Sequence, residues 1–187
     1  MTLNNHKQTV SHLTFTALMA AAMCILGPMS VPIGAIPISL TNLVICLAAW
    51  VLGPRLGAAS VAVYLMLGAV GLPVFSGYAG GLAKLLGPTG GYLIGFIAQA
   101  AIGGWAVEHS HGRPLWSGLG MAAGIAVCYA FGTAWFMVQM GCILAYALGV
   151  CVVPFIPFDL VKVVISSGVG SVLRSRLIQA GLLNRNL

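Results

Sequence analysis

The chain has 187 residues, 60% of them hydrophobic, with 5% charged side chains and a formal net charge of +6. Soluble domains carry about 25% charged residues, so too little polar material is present to cover a water-facing globule, and disorder is excluded by the apolar content. With a mean hydropathy of +1.05 the chain is an integral membrane protein, and its basic balance points to cytoplasmic loops rather than to nucleic acid.

At roughly 20 apolar residues per helical span, six spans fit and twelve do not. No residues are left over for a soluble catalytic or nucleotide-binding domain, so residues 1–187 read as one membrane domain of the all-α class. The stretch Met1 to His12 is polar, with Lys7 as its fixed charge. No small-residue cleavage site follows a short apolar core, and no removable signal peptide is predicted. Apolar segments follow at 13–29, 36–53, 56–72, 90–107, 115–138 and 157–179. Pro32, Gly34 and Pro37 mark the first break, Gly53-Pro54-Arg55 the second, and a glycine-rich stretch from Pro73 to Gly91 the third. Glu108 to Pro114 is a polar loop. Gly141 to Val153 is apolar but too short to cross, and predicts a short re-entrant or interfacial helix that protein must bury.

Charge sets the orientation. With six spans and an inside N-terminus, Lys7, Arg55, Arg113, Arg174, Arg176 and Arg185 fall on the cytoplasmic side, and Lys84 and Lys162 outside. This bias predicts an even number of spans with both termini cytoplasmic. A seventh span would put the C-terminal arginines on the wrong side.

Asp159 and Lys162 are the charges this sorting leaves unexplained. They lie near the outer end of the last span, three residues apart and so on one helix face. Ionisable groups at membrane depth are costly and mark function. The pair reads either as a mutually neutralising structural contact or as a ligand site, with Asp accepting N–H groups and Lys attracting a carboxylate or a carbonyl oxygen.

Other features carry less chemistry. The run PVFSGYAGGLAKLLGPTGG has the glycine content of a phosphate-binding loop but not its spacing, since Lys84 follows Ala83 and precedes Leu85. ATP binding by this chain is not expected, and a hairpin loop is the plain alternative. Small residues at four-residue spacing, Ala17 and Ala21 among them, suit close helix packing or, on an exposed face, a partner. Cys24, Cys46, Cys128, Cys142 and Cys151 lie in apolar segments without a CxxC pair, and neither metal nor disulfide is expected. His6, His12, His109 and His111 fall on the predicted inner side, far from Ser76 on the outer. A serine hydrolase is therefore disfavoured, and serine–lysine chemistry through Lys84 or Lys162 has no recognisable motif.

The run GLPVFSGYAGGLAKLLGPTGGYLIGF, from Gly71 to Phe96, resembles the signature of the BioY family, the biotin-specific S components of energy-coupling factor (ECF) transporters. PFIPFDLVKVVIS, from Pro154 to Ser166, is similar to the family's PF-x-P-x-D-x-x-K segment, and TALMAAAM, from Thr16 to Met23, to its small-residue first helix. The resemblance spans nearly the whole chain. It implies the ECF S-component fold of six transmembrane helices in the bacterial cytoplasmic membrane, with a biotin pocket near the outer face. Asp159 and Lys162 would then bind biotin, and Phe75, Ser76, Gly77 and Tyr92 would line the lid side. Ala17 and Ala21, with Ala20 and Ala22 beside them, would dock the transmembrane coupling subunit, which works with two ATPases. No cofactor is implied: biotin is cargo, and ATP is used by the partners alone. Two rival readings are a stand-alone biotin transporter, working singly or as a homo-oligomer, and a carrier for another vitamin.

Overall fold

The computed structural model describes residues 2–33 and 36–183. In chain order the elements are α1 (Thr2–Leu26), β1 (Ser30–Ile33), β2 (Ile36–Ser39), α2 (Thr41–Ala69), α3 (Leu82–Leu86), α4 (Gly90–His109), α5 (Pro114–Met140), α6 (Leu144–Cys151) and α7 (Ile156–Gln179). Four of them, α2, α4, α5 and α7, are long and apolar enough to cross a membrane, and Val10–Leu26 of α1 is a shorter apolar helix. Arg185 and Gly34 lie outside the described residues, as do the side chains of His6, Lys7 and Pro32.

The helix α2 is two limbs rather than one rod. Gly53 has φ 71° and ψ −169° inside it, a combination open essentially to glycine alone. A Cβ on Gly57 would lie 3.5 Å from the Ala48 carbonyl oxygen, whereas residues nine apart in a straight helix are separated by about 13.5 Å. The limbs therefore fold back on each other, with Pro54 opening the second, where its missing N–H costs nothing. Helix α4 packs directly under this turn. A Cβ on Gly104 would run into the Gly53 carbonyl carbon and the Pro54 nitrogen, and one on Gly53 would collide with Oε1 of Glu108.

The first limb is the centre of the molecule. Val44, Ile45, Ala48, Ala49, Trp50, Val51 and Leu52 are all buried, so it is enclosed on every side. Helix α2 packs against α4, α1 and α7, and Met121 and Ile125 of α5 share a buried cluster with Cys46, Ala49 and Trp50 of the first limb. Helix α7 is the opposite case: Leu160, Val161, Val164, Ile165, Val169 and Val172 face outward, and Asp159, Lys162, Val163, Ser166, Ser167 and Gly170 form one inward face. The Ser11 hydroxyl donates to the Leu182 carbonyl at 2.7 Å, bringing the start of the apolar part of α1, Val10–Leu26, and the end of the described chain together.

Several boundaries differ from the sequence expectations. The polar N-terminal stretch is helical, so α1 begins at Thr2. The second apolar segment starts as a strand, because Ile36–Ser39 pairs antiparallel with Ser30–Ile33 and the helix begins only at Thr41. The short helix α3 lies within the expected glycine-rich loop. The piece after α5 is the helix α6, begun after the left-handed Gly141 that caps α5. Ala147 and Cys151 are its buried residues, while Leu144, Tyr146 and Leu148 point outward, so only one face is covered by protein.

Candidate functional site

The first turn of α7 carries the chemistry. Pro157 sits where a helix start tolerates the missing N–H, and the spacing of three aims Asp159 and Lys162 into the bundle, where they are 4% and 8% exposed. Lys162 Nζ donates to Asp159 Oδ1 at 2.9 Å and to the Ser39 carbonyl of β2 at 2.9 Å. The other carboxylate oxygen accepts from Asn42 Nδ2 at 2.9 Å and from the Tyr129 hydroxyl at 2.6 Å. Asn42 opens α2 and Tyr129 lies on α5, so the acid is held from three helices.

A further amide stands behind Asn42. Gln99, 2% exposed on α4, donates from Nε2 to Asn42 Oδ1 at 2.5 Å. The direction is forced from Asp159 outward. A carboxylate accepts only, so Asn42 must turn its NH2 toward it and its carbonyl toward Gln99. Gln99 must then present its own NH2, which leaves its Oε1 buried without a partner among the described residues. An unmatched buried acceptor costs about 1–3 kcal/mol, so the site gives up stability to fix the acid's orientation.

These groups border a cavity of about 70 Å³ whose apolar walls are Phe96, Cys128, Cys151 and Phe155, with Tyr92 and Pro37 completing it. A neighbouring cavity of about 50 Å³ shares Pro37, Ser39, Tyr92 and Phe96 and adds hydroxyls from Thr41, Tyr64, Ser76 and Thr89. Beyond the β-hairpin lies a wider open groove of about 720 Å³, which shares Ser39 and Lys162 with the first cavity.

The expected lid residues are dispersed among these spaces. Tyr92 lines both enclosed cavities, its hydroxyl 3.3 Å from the Cys151 carbonyl and 3.3 Å from the Thr133 hydroxyl. Its ring fits only because position 132 is glycine, where any Cβ would strike it. Ser76 lines the second cavity and Gly77 the outer groove. Phe75 lines none of the three: it is fully buried against Gly68, edge-on to Tyr64 at 5.5 Å, and anchors the loop in the core. Away from the site, Ala17 and Ala21 are exposed on α1, Ala22 is half-buried, and Ala20 faces the core at 2% exposure. Asn42, Gln99 and Tyr129 were not among the residues expected from sequence. The two amides carried a signal, being lone carboxamides in apolar helices; Tyr129 carried none.

Lys162, the base that a serine–lysine hydrolase would need, is committed to Asp159 and Ser39. His109 and His111 are exposed at the other end of α4. The arrangement suits recognition of a small ligand with N–H donors, a carbonyl and an apolar body, since few placed polar groups stand among apolar walls.

The chain is 38% identical over 161 residues to the biotin transporter BioY of Thermotoga maritima, covering 86% of this chain and 92% of that one. It is 40% identical over 149 residues to a probable biotin transporter BioY of Pyrococcus horikoshii, covering 80% and 87%. A crystal structure of the S-component for biotin from an ECF-type ABC transporter superposes with a TM-score of 0.84 at 33% identity, over 90% of this chain and 93% of that one. The BioY family model matches residues 2–179, and the chain belongs to the BioY family.

Proposed function

We propose that this protein captures biotin at the outer face of the cytoplasmic membrane, as the substrate-binding S component of an ECF transporter. The observation that carries the reading is the buried Asp159–Lys162 pair at the head of an apolar cavity. Asp159 accepts a ureido N–H, Lys162 offers its remaining N–H to the ureido carbonyl, and Tyr92, Phe96 and Phe155 pack on the fused ring. The chain acts by binding rather than by catalysis, takes no cofactor, and works as one domain over residues 1–187.

Six crossings follow from α1, the two limbs of α2, α4, α5 and α7. The contact between Ser11 and Leu182 supports an even number, since it brings the two ends to one side. Positive charge puts that side in the cytoplasm, with Arg55, Arg113 and Arg176 exposed there. ATP hydrolysis belongs to two partner ATPases acting through a transmembrane coupling subunit, and the exposed Ala17 and Ala21 on α1 supply a flat face for that subunit.

Two experiments test this. Biotin titrated into the purified protein should bind, and Asp159→Asn should weaken it by about tenfold to a hundredfold, the worth of a hydrogen bond to a charged group. No binding by the native protein would overturn the assignment. Ala17→Trp should leave biotin affinity unchanged and abolish uptake in cells that contain the coupling subunits. Undiminished uptake would remove Ala17 from the docking face.

A further inference from the structure

We infer that the site grips biotin by its ring end and leaves the acyl end in the open groove, so that neutral carboxyl-linked conjugates such as biotinyl-lysine are ligands too. This rests on the reading of the cavity as a biotin site and extends it to a second substrate class.

Size gives the first reason. The enclosed cavity measures about 70 Å³ and its neighbour about 50 Å³, against the roughly 300–1,000 Å³ of whole small-molecule sites. They accommodate one end of an elongated ligand. Charge decides which end. Lys162 is already paired with Asp159 at 2.9 Å, and among the described residues no other lysine or arginine lines either cavity or the groove. The enclosed end is therefore neutral as it stands. A ligand carboxylate placed there would add an anion without a matching cation, in surroundings where unpaired charge costs several kcal/mol. A ureido ring adds no charge and supplies the N–H groups that Asp159 can accept.

The groove takes what remains. It meets the enclosed cavity at Ser39 and Lys162, and Met29, Val31, Leu40 and Phe158 give it apolar walls for a methylene chain. Met29 and Val31 are themselves exposed, at 52% and 62%, so protein does not close over the end of that chain. A group that protein does not enclose can be converted to an amide, and extended, without loss of a buried contact.

The test is competition against labelled biotin on the purified full-length protein. Biotinyl-lysine and biotin amide should compete within about tenfold of biotin itself, less than the worth of one charged hydrogen bond. An analogue methylated on its ureido nitrogens should lose about a hundredfold or more, as a site built for those donors rejects a ligand lacking them. Val31→Trp, which narrows the groove from an exposed position, should weaken biotinyl-lysine by more than it weakens biotin. Biotin binding with biotinyl-lysine weaker by more than tenfold would overturn the inference, as would equal effects of Val31→Trp on both ligands. Failure of biotin itself to bind would instead remove the functional reading beneath it.

Discussion

The chain has two carboxylates, and they stand in different company. Asp159 lies in the first turn of α7, buried and accepting from three donors on three helices. Glu108 is half-buried at the end of α4, against the Gly53 turn and within electrostatic reach of Arg174, about 22 Å further along α7. Arg174 in turn donates to the Trp50 carbonyl at 2.9 Å. Both acids are matched to a cation on the same helix, but Asp159 is enclosed and borders a cavity, whereas Glu108 is half-buried. The outer acid holds its place through a network that leaves an acceptor of Gln99 unsatisfied, and the inner one steadies a turn from a position that water reaches.

The comparison breaks most visibly at Lys162. Replacement by methionine keeps the bulk and strands a buried carboxylate, which should cost about 3–5 kcal/mol of stability, read as a lower melting temperature in detergent, together with loss of biotin binding. The double variant Asp159→Asn/Lys162→Met removes both charges and should recover most of the stability without recovering binding. A single variant that melts like the native protein would mean that the outer pair is no more enclosed than the inner one.

How much of this was visible beforehand follows from what hydropathy records. Asp159 and Lys162 stood out because ionisable residues in an apolar segment are rare, and their spacing put them on one face. The most apolar 18-residue windows of α2 and α7 have the same mean hydropathy, 1.6, yet the one in α2 is largely enclosed and the one in α7 faces mostly outward. Lipid and protein interior are equally oily, so composition cannot tell the two apart. The strands around Pro32 and Pro37 were read as a break because proline removes a ladder donor. An isolated two-stranded ribbon has only edge strands, which tolerate that loss. The turn at Gly53 was legible from Gly-Pro-Arg, since a helix cannot continue regularly through it. Asn42 and Gln99 carry no formal charge and so leave no mark on the charge sorting, although a lone amide in a membrane segment also has to find partners. That Phe75 anchors its loop, rather than lining a cavity, depends on the missing side chain at Gly68, a contact between distant positions that no local pattern shows.

A smaller effect sharpens the account of the network. Gln99→Leu removes the donor that orients Asn42 and, with it, the unpartnered Oε1. Stability should therefore change little while biotin affinity falls by about tenfold, roughly 1.4 kcal/mol, because Asn42 is then free to turn away from Asp159. Calorimetric titration and a melting curve on one preparation separate the two quantities. Parallel loss of both would make Gln99 a packing residue rather than a positioning one.

The smallest change is expected at the inner acid. Glu108→Gln keeps the shape that fills the space beside Gly53 and removes the charge near Arg174. A half-buried pair of this kind is worth about 0–1 kcal/mol, so the melting temperature should move slightly and more so at low salt, where screening is weakest. Biotin affinity should stay within about twofold, because no hydrogen bond described here links Glu108 to the Asp159 network. A larger change in affinity would mean that the Gly53 turn and the pocket move together, through the first limb of α2, which carries Asn42 at its outer end and Trp50 at its inner one. The two ends of the bundle would then be one device, with the inner acid setting how firmly the outer one is held.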